Sequence, residues 1–271
     1  MGLNEQLRRI AAPLLRFLGK RSRAKRRARV FSIVDSRLPG LEIGPCDNAI
    51  APKRDGFRVK ILDHLDQEGL CAKYADHPQV DTSRIEEVDL VWGGEPYAQL
   101  LGGAKVDWII ASHVVEHVPD LVGFLLESAS ILCPGGRLIL FVPDHRRVFD
   151  CQRSPSGTGE IVDAHLQRRK APSPGEVAEH HLRVVTKGKR LAWPLLWPGR
   201  VRRIHTDQEV REAFQAAKDG EYRDVHVWKF TPDSFGRVAD DLRRLDLIDL
   251  QVERIESSHG SEFFVAMRRP A

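Results

Sequence analysis

The stretch LEIGPCDNAIAPKRDGFRVKILDH, residues 41–64, decides how this chain is interpreted. A short apolar run ends at one glycine, Gly44, and a second β-rich run ends at an acidic residue, Asp63. A carboxylate about 20 residues beyond a glycine turn is where nucleotide-binding α/β folds hydrogen-bond a ribose diol. The pair therefore predicts a cofactor loop followed by a ribose-binding acid.

The glycines that this loop lacks indicate which cofactor it takes. A dinucleotide needs several glycines, because its pyrophosphate must approach backbone N–H groups at the start of a helix. Only Gly44 is present in this loop, and no glycine-lysine pair followed by serine or threonine completes a P-loop. The loop suits a cofactor without phosphate groups, and S-adenosylmethionine is one.

Strand and helix patterns alternate after residue 40. Most of the strand runs are continuously apolar, as in strands that are covered on both faces. Pro119 suits the first turn of a helix, and Gly135–Gly136 are expected to stop it. Strands are predicted at 40–43, 58–62, 88–92, 107–111 and 137–142, and helices at 65–77 and 119–132. This alternation predicts a doubly wound α/β fold whose ligands bind at the carboxyl ends of parallel strands.

Several segments in order resemble the class I S-adenosylmethionine-dependent methyltransferases, and most closely a bacterial group often associated with glycan or polysaccharide biosynthesis. They are LEIGPCDNAIAPKRDGFRVKILDH, DWIIASHVVEHVPD (107–120), LCPGGRLILFVPDHR (132–146) and HVWKFTPDSF (226–235). The resemblance implies a Rossmann-like, seven-stranded sheet that is mostly parallel, with one antiparallel strand. The stretch after the fifth strand is rich in proline, glycine and charged residues, and helices are predicted in it near 158–170 and 206–219. Its position predicts an inserted cap over the ligand-binding edge of the sheet.

The same resemblance assigns residues to the cofactor. Glu42, Gly44 and Pro45 would line its methionine end, and Asp63 would bind its ribose. Gly94 and Glu95 would lie near the adenine, and Ser112 and His113 would close over the cofactor from the fourth strand. The implied division of the chain is a basic helical segment at 1–37, a core at 38–144 and 227–271, and a substrate-recognition cap at 145–226.

The methyl acceptor needs a group that takes its proton. Methyl transfer from a sulfonium is an in-line displacement, so positioning supplies much of the acceleration, and an oxygen or nitrogen acceptor also needs a base. Histidine titrates in the right range. The candidates are His117, His145 and His226, with Asp144 as the base or as a residue that orients one of them. The competing interpretation is that these histidines are hydrogen-bonded structural residues.

A metal site is the other explanation for the histidines, which are concentrated between residues 113 and 226. HVVEH at 113–117 places two histidines four residues apart, but it lacks the H-E-x-x-H order of zinc proteases. His113 is assigned to the end of a strand, so the two rings need not converge. No metal is predicted, although an ion at His180 and His181 stays open.

The basic character of the chain lies at its start. Residues 1–30 carry a net charge of +9 and the remainder −5. Apolar residues from Leu7 to Leu18 follow helical spacing, and a basic run from Lys20 to Arg29 comes next. Two interpretations stay open: contact with anionic lipid or nucleic acid, or a helix packed on the domain with a solvated basic tail.

Composition limits the remaining possibilities. No apolar run is long enough to span a bilayer, and the four cysteines form no CxxC pair, so neither a zinc framework nor a disulfide framework is indicated. A cytoplasmic protein is expected, and a peripheral position at the inner membrane face is an open alternative. The resemblance implies a methyltransferase for a small polar acceptor, such as a sugar hydroxyl. The alternatives are a nucleic-acid or protein methyltransferase docked by residues 1–30, and a non-catalytic cofactor-binding module.

Overall fold

The computed structural model describes residues 23–77, 80–188, 190–194, 196–257 and 260–271. The chain forms two compact units, and the boundary between them lies between Gly93 and Gly94. The main sheet has seven strands, three in the first unit and four in the second. The chain therefore has the predicted Rossmann-like α/β fold.

The first unit is built on three parallel strands in the order β3-β2-β1. All four residues of β1 are buried, including the acidic residue Glu42. In chain order its main elements are helix α1 (described over residues 23–30), β1 (Gly40–Ile43), β2 (Val59–Asp63), α2 (Gln67–Lys73) and β3 (Leu90–Val91).

Strand β3 is shorter than predicted, two residues instead of five. The carboxylate of Asp89 accepts the backbone N–H of Ile61 at 2.7 Å. At the predicted start of β3, a side chain therefore replaces the backbone carbonyl that would pair with β2. Gly93 and Gly94 follow the strand at its other end.

Part of the N-terminal basic run packs against the first unit. Arg27 donates to the carbonyl of Ile50 at 2.9 Å, pairs with Asp55 at 2.8 Å and lies over the ring of Phe57. Val30, in the same helix, is fully buried. This portion of α1 is therefore packed on the domain. The predicted amphipathic segment before residue 23 lies outside the described residues.

The second unit carries four strands of the main sheet in the order β4-β5-β9-β8. Strand β9 runs antiparallel to both of its neighbours, and β4 pairs with β5 in parallel, which confirms one antiparallel strand. In chain order the elements are α3 (Tyr97–Leu100), β4 (Val106–Ser112), α4 (Leu121–Ile131), β5 (Leu132–Pro143), α5 (Thr158–Leu166), α6 (Pro174–Arg183), β6 (Val185–Lys187), β7 (Val201–Arg203), α7 (Asp207–Lys218), α8 (Pro232–Arg244), β8 (Gln251–Ser257) and β9 (Glu262–Arg268).

The role predicted for Gly135 and Gly136 is wrong. Helix α4 already ends at Ile131, and both glycines lie within β5. A Cβ at position 136 would lie 2.9 Å from the carbonyl oxygen of Cys133 and 3.0 Å from that of Asp107, so the close approach of backbone requires glycine there.

The stretch between β5 and α8 contains more regular structure than predicted. The helices expected near 158–170 and 206–219 are present as α5 and α7, but α6 and the β6–β7 hairpin were not predicted. Ser173 and Glu176 form a capping box at the start of α6, and Pro174 occupies its first turn. These three residues are a sequence signal that could have predicted the start of α6. The predicted domain boundaries at 37, 144 and 226 stay predictions.

No helix in the described part of the chain is both long and apolar enough to cross a membrane.

Candidate active site

The loop after β1 in the first unit folds back onto Glu42. The buried carboxylate of this residue accepts the backbone N–H groups of Ile50 at 2.7 Å and Ala51 at 3.0 Å. Gly44 has a φ of 61°, the left-handed conformation that glycine adopts without a steric cost. Burial raises the pKa of Glu42 to about 7, against the opposing effect of the two N–H donors. Glu42 therefore fixes the loop that is predicted to hold the cofactor.

Asp63 lies at the carboxyl end of β2, beside that loop. The N–H of Gly44 donates to the carbonyl of Leu62, so Gly44 and Asp63 lie at neighbouring strand ends. The Asp63 carboxylate is buried, and one of its oxygens accepts the His64 N–H at 2.8 Å and contacts the His64 ring at 2.6 Å. No bond to its second oxygen is formed within the described structure. The structure thus brings together Gly44, Pro45 and Asp63, as the sequence predicts.

The remaining residues predicted to bind the cofactor lie in the second unit. Gly94 and Glu95 are exposed ahead of α3, and Ser112 ends β4. His113 follows with a φ of 56°, unusual for a residue that has a side chain. Their assignment to the cofactor stays a prediction.

The His113 ring lies between two carboxylates. One ring nitrogen is 2.8 Å from Glu262, and the other is 3.4 Å from Glu116. Desolvation lowers the pKa of His113, but its interactions with the two carboxylates outweigh that effect and raise the pKa to about 9. His113 is consequently an imidazolium at neutral pH and cannot serve as a base.

Glu116 is the centre of the polar interior of this unit. It is 1% exposed, and neither carboxylate oxygen has a partner with hydrogen-bond geometry within the described structure. Its backbone carbonyl accepts the N–H groups of Val227 at 2.7 Å and Trp228 at 3.2 Å, which ties the turn after β4 to the segment before α8. Desolvation raises the pKa of the carboxyl group, and the facing rings of His113, His117 and His226 overcome that effect and lower it.

Two histidine–carboxylate pairs surround Glu116. His117 contacts Asp224 through Nδ1 at 2.7 Å, and His226 contacts Asp150 through Nδ1 in a short hydrogen bond. The two rings are 4.7 Å apart and nearly perpendicular. One ligand atom each from Glu116, His117 and His226 lies within 4.8 Å of the other two. These three residues are called the Glu116 cluster below.

A buried arginine holds the Asp150–His226 pair in place. The Arg153 side chain has no exposed surface and pairs with Asp150 at 3.1 Å and with Glu179 at 3.0 Å. It also donates to the backbone carbonyl of His226 at 2.6 Å. Desolvation raises the pKa of Asp150, but the hydrogen bond from His226 and the charge of Arg153 lower it further than that. Asp150 is therefore ionised and orients the ring of His226.

Asp144 and His145 lie at the end of β5, and their contacts differ from those of the Glu116 cluster. The Asp144 carboxylate binds Arg146 at 2.8 and 2.6 Å and caps the short helix His145–Arg147. His145 is buried, which lowers its pKa, and its Nδ1 has no hydrogen bond within the described structure. The structure does not join either residue to the Glu116 cluster by a described contact, so their catalytic role stays a prediction.

The sequence predicts His117 and His226 as candidates but does not identify the residues that contact or surround them: Glu116, Asp150, Arg153 and Asp224. HVVEH contains Glu116 between two histidines, which is the one local signal that could have indicated it. The sequence gives no comparable indication for Asp150, which is 76 residues from its partner.

One family model matches this chain. Residues 94–140 match the family described as Methyltransferase domain, and these residues include the turn that carries Glu116 and His117. Among curated proteins, none matches the chain in sequence.

Three of the similar solved structures are methyltransferases by their descriptions. The N-methyltransferase NodS from Bradyrhizobium japonicum WM9 is 14% identical, over 93% of this chain and 97% of that chain, with a TM-score of 0.40. The CcbJ methyltransferase from Streptomyces caelestis is 14% identical, over 91% and 89%, with a TM-score of 0.46. The magnesium protoporphyrin IX methyltransferase from Synechocystis PCC 6803, with bound S-adenosylhomocysteine, is 13% identical, over 93% and 84%, with a TM-score of 0.40.

The family match and the sheet support S-adenosylmethionine-dependent methyl transfer as the activity, with S-adenosylmethionine as the cofactor.

Proposed function

We propose that this protein transfers the methyl group of S-adenosylmethionine to a hydroxyl group of a small polar acceptor, such as a sugar or glycan. We place the acceptor oxygen at the Glu116 cluster. The observation that carries the proposal is the pairing of His117 and His226 with the carboxylates of Asp224 and Asp150 around a buried glutamate.

The chemistry requires a group of this kind. The acceptor oxygen attacks the methyl carbon while the sulfur–carbon bond breaks, and the hydroxyl proton must leave. In the proposed site, Asp224 and Asp150 hold the rings of His117 and His226 through Nδ1, which directs Nε2 of each ring to the acceptor. The product is a methyl ether, together with S-adenosylhomocysteine and a proton.

Cofactor binding is assigned to Glu42, Gly44, Pro45 and Asp63 in the first unit, and to Gly94, Glu95, Ser112 and His113 in the second. Asp63 is the residue most directly expected to bind the cofactor, because its carboxylate has an oxygen available for the ribose hydroxyls. Cytoplasmic location belongs to this proposal, as does contact of residues 1–30 with an anionic surface.

Binding of S-adenosylhomocysteine, measured by calorimetry on the full chain, tests the cofactor assignment. Asp63→Asn is expected to weaken binding by roughly 10- to 100-fold, since hydrogen bonds to a charged group contribute about 1.5–3 kcal/mol. Asp66→Asn is the matched control. Asp66 caps α2 three residues beyond Asp63. Asparagine also serves as an N-cap, so this variant removes a nearby charge without removing a cofactor contact.

Transfer of a labelled methyl group to a panel of free sugars and oligosaccharides tests the acceptor. Label in a saccharide hydroxyl supports the proposal, whereas turnover on RNA or protein alone contradicts it. Cofactor binding without transfer to any acceptor in the panel, nucleic acid and protein included, would favour a non-catalytic module.

A further inference from the structure

We infer that the Glu116 cluster binds one divalent metal ion of the first transition series, with Zn²⁺ as its simplest probe. Binding of the ion stands on the geometry of the cluster. Its use in methyl transfer rests on the proposed function.

The ligand set is the first argument. Two imidazoles and one carboxylate match the sets that hold catalytic zinc and non-haem iron, which leave coordination positions open. The three ligand atoms lie within 4.8 Å of one another. Bonds of roughly 2.1 Å in a tetrahedral zinc site hold the ligands about 3.4 Å apart, so the cluster must contract. The side chain of His117 is 34% exposed and has room to make that movement.

The second argument is the carboxylate of Glu116. Both of its oxygens are buried, and neither forms a hydrogen bond within the described structure. His113 lies 3.4 Å from one of them. A buried carboxylate without hydrogen bonds is costly, and coordination of a cation is one of the ways in which proteins compensate it. The oxygen that His113 does not contact has no partner within the described structure, which is an independent indication of a ligand.

The orientation of the two rings is the third argument. Metal-binding histidines usually donate their second ring N–H to a carboxylate or carbonyl, which fixes the tautomer and directs the other nitrogen to the metal. His117 and His226 both show this arrangement, with Asp224 and Asp150 at Nδ1. No described hydrogen bond uses Nε2 of either ring.

Other histidines provide a comparison. His181 and His205 have rings 4.5 Å apart. His165 pairs with Asp120 at 3.1 Å, as His117 does with Asp224. Neither pair belongs to a group of three potential metal ligands. Within the described ranges, the Glu116 cluster is the one group of three whose ligand atoms all lie within 4.8 Å of one another.

A metal ion in this position would supply the activation that the acceptor needs. An open coordination position would lower the pKa of a bound acceptor hydroxyl. Because His117 and His226 would then hold the ion, the hydroxyl proton would pass to solvent and not to either ring. The acceptor oxygen would form a bond to the methyl carbon as the sulfur–carbon bond breaks. The electron pair of that bond remains on sulfur as S-adenosylhomocysteine.

The test measures metal binding apart from activity. The full chain, prepared without a polyhistidine tag and stripped with a chelator, is titrated with Zn²⁺ by calorimetry and with Co²⁺ by visible absorption. One ion per chain is expected. Glu116→Gln keeps the shape of the buried side chain, and His117→Ala removes a partly exposed one, so both variants should fold while binding falls by about 100-fold or more. Asp224→Asn is expected to reduce affinity by roughly 10- to 100-fold.

His165→Ala and His205→Ala are the matched controls and should bind as the unaltered chain does. The inference is overturned if no ion binds, or if Glu116→Gln binds normally while His205→Ala does not, which would move the ion to the His181–His205 pair. Binding of S-adenosylhomocysteine by a chain that binds no Zn²⁺ would leave the proposed cofactor intact. Zn²⁺ binding without S-adenosylhomocysteine binding would contradict the proposed function instead.

Discussion

The carboxylates of the predicted cofactor loop and those that contact the histidines of the second unit obtain their partners over very different distances along the chain. In the first unit, Glu42 binds backbone groups 8 and 9 residues away, and Asp63 binds its immediate neighbour. In the second, the pairs His226–Asp150, His117–Asp224 and His113–Glu262 are separated by 76, 107 and 149 residues. The first arrangement is a local loop, whereas the second exists only when distant segments are folded together.

This difference predicts how each region responds to change. A local loop depends on a few contacts within one segment, so single substitutions there should have limited effects. The buried network of the second unit depends on every member, because removal of one charge leaves another without compensation.

The largest effect is expected at the cluster itself. His226→Asn removes the nitrogen that Asp150 directs to the acceptor, so the rate constant of methyl transfer should fall by about 10²- to 10⁴-fold, the usual contribution of a group that handles a proton. Single-turnover kinetics with labelled S-adenosylmethionine measures the effect, and affinity for S-adenosylhomocysteine should change little. His165→Asn is the control, and an equal loss in that variant would contradict the assignment.

The buried arginine should dominate the stability of the second unit. Arg153→Met leaves Asp150 and Glu179 without their shared cation and should lower the free energy of unfolding by about 3–5 kcal/mol. Denaturation in urea measures this change. Arg137→Met removes a surface pair with Glu253 and should cost less than about 1 kcal/mol, since solvent screens that pair. Similar losses in the two variants would show that burial does not distinguish them.

A pH-dependent stability is expected from Glu42. The pKa of this carboxyl group is about 7 in the folded protein and 4.5 ordinarily, so the folded state holds the proton more tightly. The contribution of Glu42 to stability is fully present below pH 4.5 and is lost as pH rises through 7, by an amount on the order of 3 kcal/mol. Glu42→Gln should remove this component from a series of urea denaturations across that range. An unchanged pH profile in the variant would show that another group is responsible.

The smallest effect is expected at a local helix cap. Thr231 and Ser234 form a capping box at the start of α8. Thr231→Ala should lower the free energy of unfolding by about 1 kcal/mol, because one N–H group at the helix start loses its acceptor. Thermal unfolding measures the change, and a loss as large as that of Arg153→Met would contradict the contrast between local and long-range contacts.

The same contrast explains which parts of the structure were predictable. Continuous apolar runs indicated buried parallel strands because that property is local, and β1, β2, β4 and α7 lie where the sequence placed them within a few residues. Strand β3 and the end of α4 were less predictable. Strand β3 is short because the Asp89 side chain, and not a backbone carbonyl, accepts the N–H of Ile61. Helix α4 ends before the glycines because Gly136 packs closely against backbone within β5.

The sequence by itself determined the α/β fold, the single-glycine loop and the acid at the end of β2, since each depends on residues close together in the chain. Only the tertiary structure decided the environment of the histidines. It placed Asp150 and Asp224 at their rings, buried Glu116 among them and inserted Arg153 behind Asp150. Burial, pKa and ligand geometry arise from groups far apart in sequence, so no periodicity or spacing along the chain could express them.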